Sequence, residues 1–380
     1  MKNTYAVDIR RKLHMYPEIG FDLPKTLALL RDELSKIGID YTEKYGKSSI
    51  VATINPEKKN YTIGIRADID ALPIWEENDV PYKSRIDGRM HACGHDAHTA
   101  IALATLKELY EERDKINCCV KFIFQSGEET YCGAEYIAED GVMKDIDCII
   151  ALHAEPNCEA GKILITKGPQ NANADHFTLE FFGKSAHAAR QQNGIDANMV
   201  AIKAYTAIES IMTKGLSANE VVIFNAGEIH GGTASNIVSD YCRMNCTLRT
   251  WNDETEKKLL DQIEKVSKMT AEMFGASSKL TMETHYPILV NDFDITERMI
   301  VSAGKVIGKE NISDNQRNMG GEDFACFAIR KPACMFRLGI ANEGKRSTYG
   351  LHSSKFDIDE DALDIGVRIF KQFVFDNMDR

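Results

Sequence analysis

The sequence predicts an α/β protein built on a mixed, largely parallel sheet, with a smaller ferredoxin-like α+β domain inserted into it. Three observations lead there. Apolar runs of strand length alternate with helix-length segments as far as Gly168-Pro169. Beyond that point the order becomes strand, helix, strand, strand, helix, strand over about 110 residues, which is the order of a ferredoxin-like unit. From about residue 287 the alternating character returns. The predicted boundaries are 1–170 and 286–380 for the larger domain, and 171–285 for the insert.

Taken in order, Leu27, Leu30, Leu34 and Ile37 recur at helical spacing after Pro24, and Gly38 is a natural stop. Strand-like runs follow at 49–54 and 61–66, the second leading into Asp68 and Asp70. After His98 a helix is expected, with Thr99, Leu103, Leu106 and Tyr110 facing inward. Strand 120–125 delivers Ser126-Gly127-Glu128-Glu129, and strand 147–152 delivers His153. Ligands of open parallel sheets bind outside the carboxyl ends of the strands. Asp68, Asp70, Glu128, Glu129 and His153 all follow such an end.

Within the insert, Phe177, Leu179 and Phe181 alternate as in a half-buried strand, and a helix is expected over 196–212. Strands at 221–229 and 236–250 come next. A second helix places Leu259, Ile263, Val266, Thr270 and Met273 on one face, and Gly275 closes it. Asp253 with Glu256 resembles a capping box. Strand 279–284 ends the unit, and strand 333–339 precedes the loop that holds His352.

A hydrophobic content of 43% with 27% charged residues is ordinary for a soluble globular chain. The net charge of −11 speaks against a sequence-independent grip on nucleic acid, which needs clustered Lys and Arg. The first residues lack an apolar signal-peptide core, and no stretch approaches the roughly 20 apolar residues of a transmembrane helix. Ten cysteines are scattered without a framework, several of them in apolar runs (Cys118, Cys119, Cys148, Cys334). That pattern suits a reducing cytoplasm. A cytoplasmic protein without nucleic-acid or membrane partners is therefore expected.

The densest chemistry lies in His91-Ala-Cys-Gly-His-Asp-Ala-His98. Cys93 and His95 are one residue apart and can reach a common point, but such a pair needs partners from elsewhere to complete a metal site. Glu129, His153 and His352 supply them, and five ligands suffice for two ions sharing a water or hydroxide. On an extended backbone Glu128 and Glu129 would point in opposite directions, leaving Glu128 to move protons. Each residue also has a plainer reading. Adjacent glutamates are usually solvated surface, and a lone histidine after an apolar run is commonly a core residue. His91 and His98 read as structural or supporting, and Asp68, Asp70 and Asp96 as loop caps or as carboxylates orienting imidazoles. A Cys93 nucleophile with a His base is the rival chemistry. It leaves Glu128, Glu129 and His352 without a task.

Read together, Arg66-Ala-Asp-Ile-Asp-Ala-Leu-Pro73, Met90-His-Ala-Cys-Gly-His-Asp-Ala-His98 and Phe124-Gln-Ser-Gly-Glu-Glu129 resemble the amidohydrolase branch of the dinuclear metallopeptidases. That branch includes aminoacylases, hippurate hydrolases, N-acetyldiaminopimelate deacetylases and hydrolases of indole-acetyl amino acids. The resemblance continues through Gly183-Lys-Ser-Ala-His-Ala-Ala189, Gly231-Gly-Thr-Ala-Ser-Asn236, Met319-Gly-Gly-Glu-Asp-Phe324 and Leu351-His-Ser353, and spans nearly the whole chain. It implies a zinc-exopeptidase-like catalytic domain with an inserted lid and dimerisation domain, and hence a homodimer. By position, Cys93, His95, Glu129, His153 and His352 match the metal ligands and Glu128 the general base. Cys93 stands where the wider superfamily has a bridging Asp. His187 matches a lid histidine that helps hold the developing oxyanion, Asn236 a lid residue near the substrate, and Arg249 a partner for a substrate carboxylate.

One motif departs from the family. Where Gly-Gly-His-Ala-Ala-x-Pro is common, this chain has Ser185-Ala-His-Ala-Ala-Arg190-Gln191, so lid geometry and side-chain preference are open. The expected activity is cleavage of N-acyl amino acids to a carboxylate and a free amino acid, with two divalent ions (Zn or Mn, with Co or Ni as alternatives). A dipeptidase or carboxypeptidase using the same site, and a catalytically silent metal-binding homologue, are the other readings.

Overall fold

Two hydrophobic patterns, one interrupting the other, build two separate cores. The computed structural model describes residues 3–314, 317–345 and 347–379. Within them one compact unit comprises 3–170, 289–314 and 323–379, and the other 171–288 and 317–322.

The larger unit is organised on an eight-stranded sheet. Its spatial order is Tyr41–Thr42, Ile50–Ile54, Cys119–Gln125, Thr62–Asp68, Cys148–Glu159, Ala333–Ala341, Ile163–Leu164, Ile312–Ser313. Thr62–Asp68 runs parallel to both Cys119–Gln125 and Cys148–Glu159, and Ala333–Ala341 runs parallel to Cys148–Glu159. Antiparallel pairs lie outside this centre, at Ile50–Ile54 and at Ile163–Leu164. Every residue of Thr62–Asp68 and Cys119–Gln125 is buried, as strands covered on both faces require. Ile63, Phe122, Ile150 and Phe336 meet Leu103, Leu106, Phe370 and Phe373 of the covering helices in one core.

The helix expected after His98 begins earlier, at His95, and runs His95–Glu111. It is not one-sided: residues from His95 to Leu106 are all buried, and Leu109 rather than Tyr110 completes the inner set. The cause is its position against strand Thr62–Asp68 and helices Thr4–His14 and Asp361–Asn377. Ala97, Ala100, Ala102 and Ala104 are small enough to allow such packing.

In the second unit the strands order as Val222–Gly231, Tyr241–Thr250, Ala174–Phe182, Ser277–Tyr286, all antiparallel. This is the ferredoxin-like arrangement. Phe177, Leu179 and Phe181 point into a core shared with Val200 and Ala204 of helix Ala197–Lys214 and Leu259 and Ile263 of helix Asp253–Met273. Two details differ from expectation. The strand expected over 236–250 is broken: Ile237–Val238 pairs with Ala186–His187 as a separate ribbon, and only Tyr241–Thr250 joins the sheet. The capping residue is Asn252, not Asp253. Asn252 keeps the extended backbone a cap requires, and its side chain accepts from the Thr255 N–H at 3.0 Å. Glu256 is turned instead towards His285, 3.3 Å away. Among the described residues no helix is long and apolar enough to cross a membrane.

Candidate functional site

The residues singled out in the larger unit converge at one end of its sheet. Thr62–Asp68 ends at Asp68, Cys119–Gln125 leads through Gly127 into Glu128, and His153 lies within Cys148–Glu159. Cys93 and His95 enter from the loop that opens helix His95–Glu111. Between them Gly94 adopts φ +90°, and a Cβ there would lie 2.8 Å from that of Ala154. Only glycine permits both the turn and the close approach. His352 arrives from the far C-terminal part. It is a non-glycine residue at φ 61°, and its N–H donates to the Ala92 carbonyl at 2.8 Å.

Ligand-type atoms of Cys93, His95 and His153 lie within 4.8 Å of one another, and so do those of Cys93, Glu129 and His352. The two groups share the Cys93 sulfur, which is 3.5 Å from His153 Nε2. Glu129 Oε1 is 3.7 Å from His95 Nε2 and 3.5 Å from His352 Nε2. Glu128 Oε2 stands 4.0 Å from His95 Nε2. The glutamates are not on an extended backbone, as expected from sequence, but open a short helix, Glu128–Tyr131. Asp70 accounts for this. Its two carboxylate oxygens accept the backbone N–H groups of Glu128 and Glu129 at 3.1 and 3.2 Å, holding the helix start in place.

Two of the three imidazoles are oriented by a second bond. His95 Nδ1 donates to the Asp70 carbonyl at 2.9 Å, and His153 Nδ1 to the Ala154 carbonyl at 2.8 Å, so both present Nε2 to the cluster. His98 serves differently. Its Nδ1 donates to Asp68 at 2.6 Å and its Nε2 accepts from the Ala154 N–H at 2.8 Å, which leaves no lone pair for an ion. Burial, with Arg337 and His98 nearby, holds His153 well below the usual histidine range, in the neutral form. Burial acts most strongly against the charged form of His95, but Asp68, Cys93 and Asp70 together outweigh it and raise His95 well above that range. Asp68 in turn stays ionised despite burial, drawn down by His95 and Arg66. Burial and the neighbouring Glu129 push the Cys93 thiol up.

Whether this cluster suits metal ions is decided by its unsatisfied atoms. His95 Nε2 and Glu129 Oε1 are buried with no hydrogen-bond partner, although they face each other. A buried polar atom left unpaired is costly, and a cation that takes the place of the His95 proton removes the cost for both atoms. A set of one thiolate, one carboxylate and three imidazoles suits borderline-soft divalent ions. The residues fit.

Beneath the cluster lies a network that sequence reading missed. Arg66 donates to Asp68 at 2.7 Å, to Gln125 at 2.7 Å and to Asp323 at 2.6 Å, and Asp323 also accepts from Gln125 and from the Ala134 N–H. Asp323 lies 257 positions from Arg66, so no local pattern could have joined them. Asp96 is likewise occupied elsewhere, by Arg10 at 2.9 Å and His14 at 2.8 Å. His91 is fully buried, and burial pushes it down to about 3.

The remaining candidates belong to the second unit. His187 and Asn236 are neighbours there: Ile237 pairs with His187, and the Ala188 N–H donates to the Asn236 carbonyl at 2.9 Å. His187 is exposed and its Nδ1 accepts from the Ala189 N–H at 3.0 Å. Arg249 donates to the Met319 carbonyl at 2.9 Å.

Comparison with known proteins agrees with this geometry. Residues 64–376 match the model of Peptidase family M20/M25/M40. The chain is similar to an N-acetyl-L-cysteine deacetylase of Bacillus subtilis (strain 168), at 33% identity over 94% of this chain and 84% of that one. It is also similar to thermostable carboxypeptidase 2 of Saccharolobus solfataricus, at 32% identity over 95% and 92%. A solved Bacillus subtilis structure described as a dinuclear metal binding peptidase superposes with a TM-score of 0.83, at 28% identity over 99% of this chain and 98% of that one. With its fold, its cluster of ligand-type residues and its matched motifs in agreement, the chain belongs to Peptidase family M20/M25/M40 and is a hydrolase.

Proposed function

We propose that the protein is a metal-dependent amidohydrolase that cleaves N-acyl amino acids to a carboxylate and a free amino acid. The observation that carries this reading is the Cys93 sulfur, common to two donor groups, with Glu128 beside them. Cys93, His95 and His153 would hold one divalent ion, and Cys93, Glu129 and His352 a second. Such a pair, when bound, lowers the pKa of a shared water and polarises an amide carbonyl. Zn or Mn is the assignment, with Co or Ni as alternatives: thiolate and imidazole favour Zn, and the carboxylate admits Mn.

Glu128 takes a proton from the attacking water and hands it to the departing nitrogen. His187 is assigned to the developing oxyanion. Because its Nδ1 already accepts from Ala189, its Nε2–H is left to donate, as that task requires. Arg249 is assigned to the substrate carboxylate. It has no ion pair among the described residues, and burial lowers its pKa, so an anionic partner would stabilise it. Asn236, beside His187, is placed near the substrate. The insert, residues 171–285, is read as lid and dimerisation domain. Its outer strand Val222–Gly231 has a free edge among the described residues, with Ile223 and Ile229 exposed, which favours pairing with a second copy. Ten free cysteines favour a cytoplasmic location.

The test is hydrolysis of hippurate, N-acetyl amino acids and dipeptides by metal-stripped protein, with and without Zn, Mn or Co. Metal-dependent release of amino acid from acylated substrates, with dipeptides slow, is the expected result. Faster cleavage of dipeptides would favour the second reading, a peptidase, which the similarity to a carboxypeptidase motivates. Two bound ions with no turnover of any substrate would leave a silent binder.

A further inference from the structure

Two thiols that the site does not use lie against each other in the larger unit. Cys132 Sγ and Cys326 Sγ are 3.3 Å apart, and both cysteines are reduced and buried. Cys132 links helix Glu128–Tyr131 to helix Gly133–Glu139 at φ 50°, ψ 54°. A residue with a side chain seldom adopts that left-handed conformation and keeps it only where its surroundings dictate it. Here the Tyr131 and Gly133 N–H groups both donate to the Gly127 carbonyl, at 3.2 and 3.0 Å. Cys326 lies in helix Ala325–Ala328, close behind Asp323. The Asp323 carboxylate accepts from Gln125 at 2.6 Å and from the Ala134 N–H at 2.9 Å, one on either side of the Glu128–Cys132 turn. The Asp323 carboxylate thus ties the segments that flank the turn to the helix carrying Cys326 and keeps the two sulfurs close.

We propose that Cys132 and Cys326 form a reversible oxidation site, whose disulfide ties the turn carrying Glu128 and Glu129 to helix Ala325–Ala328. The oxidant is hydrogen peroxide. Cys132, 6% exposed against 1% for Cys326, is the sulfur it reaches. The Cys132 sulfur attacks a peroxide oxygen, the O–O bond breaks, and a sulfenic acid and one water form. The Cys326 sulfur then attacks the sulfenic sulfur, the S–S bond forms, the S–O bond breaks, and a second water leaves. Two thiols lose two electrons and two protons, and one hydrogen peroxide becomes two waters. Contact with Cys132, followed by burial, pushes the Cys326 thiol up, which lowers its thiolate fraction and slows closure. A disulfide requires sulfurs about 2.05 Å apart, which is roughly 1.3 Å closer than they stand. A displacement on this scale, three residues beyond Glu129, reaches the glutamates. Misplacing a reacting group by about 1 Å costs on the order of 10²-fold in rate.

Full-length protein treated with hydrogen peroxide, alkylated and digested without reduction should yield a peptide pair joined through Cys132 and Cys326. Dithiothreitol should separate the pair, and Cys326→Ser should abolish it. Under the same treatment, hydrolysis should fall at least about tenfold further in wild type than in Cys326→Ser, and dithiothreitol should restore the difference. Cys132→Gly, which suits the left-handed turn, is the second variant. It should keep its untreated activity and resist peroxide as Cys326→Ser does. Full alkylation of both cysteines after peroxide, or sulfinic acid at Cys132 without a joined peptide, would overturn the site. A joined peptide with equal loss of hydrolysis in wild type and variants would overturn the effect on the glutamates, since Cys93 oxidation is common to all. The peptide readout needs no substrate, so it fails or succeeds independently of the proposed reaction.

Discussion

The donor cluster of the larger unit and the His187 loop of the insert are held in opposite ways. Around Cys93 bonds from outside the cluster fix its parts: the Asp70 carbonyl for His95, the Ala154 carbonyl for His153, the Asp70 carboxylate for the start of the Glu128–Tyr131 helix. His187 has one such bond, to a neighbour two residues along, and is exposed. A site that binds ions of fixed geometry needs preset ligands. A residue proposed to meet a substrate, as His187 is, is better placed on a segment that can adapt. The contrast separates what must be rigid from what can vary, and the altered motif around His187 falls on the variable side.

The largest effect should come from the rigid side. Glu128→Ala is expected to lower kcat by about 10²–10⁴-fold while metal content, measured by elemental analysis, stays unchanged. Retained turnover would remove Glu128 from proton transfer. Next, Asp323→Ala leaves the buried Arg66 short of a partner, and the loss should be about 3–5 kcal/mol by urea unfolding. A loss below about 1 kcal/mol would mean that the network beneath the cluster is dispensable. On the adaptable side, His187→Ala should cost on the order of 10²-fold in kcat with little change in Tm. An unchanged kcat would strip the insert of its part in the chemistry.

The smallest effect concerns the insert alone. His285 is raised by its hydrogen bond to Asp175, with burial acting against it and Glu256 and Asp253 adding to the rise. Burial, then Asp175, push Glu256 up to about 7, with His285 opposing and Asp253 assisting. Both folded-state values lie above their ordinary ones. The stability they contribute is therefore complete at low pH and fades as pH rises, for Glu256 between about 4.5 and 7 and for His285 above its usual range. Solvent screening at the exposed His285 keeps its share of the change to about 1 kcal/mol or less. Urea midpoints across this range should fall in wild type and flatten in Glu256→Gln. Parallel slopes would dismiss the cluster as a titrating unit.

What could be read from sequence follows the range of the contacts involved. The largely parallel sheet was legible because alternation of apolar runs is a local pattern, and the insert because Phe177, Leu179 and Phe181 change its period. Cys93 and His95 could be paired because one glycine separates them. The shape of the Glu128-Glu129 segment was not legible, since Asp70, far back in the chain, winds it into a helix. Nor was Asn252 as the cap, because neighbouring Asn and Asp are equally good candidates and only the backbone angles choose. Asp323 and the Arg10–Asp96 pair depend on partners 257 and 86 positions away, beyond any pattern in one sequence.

The pairing of Ala174 with Tyr286 closes the insert on itself, whereas the strand Ala333–Ala341 and His352 belong to the larger unit. During synthesis the four-stranded sheet of the insert is therefore complete once residue 286 has left the ribosome. Cys93, His95, Glu129 and His153 have emerged well before then, yet they wait for a strand and a histidine still to be made. A nascent chain halted before residue 333 would carry a folded insert beside an unfinished site, with a thiol and three other donors still open to the wrong ion.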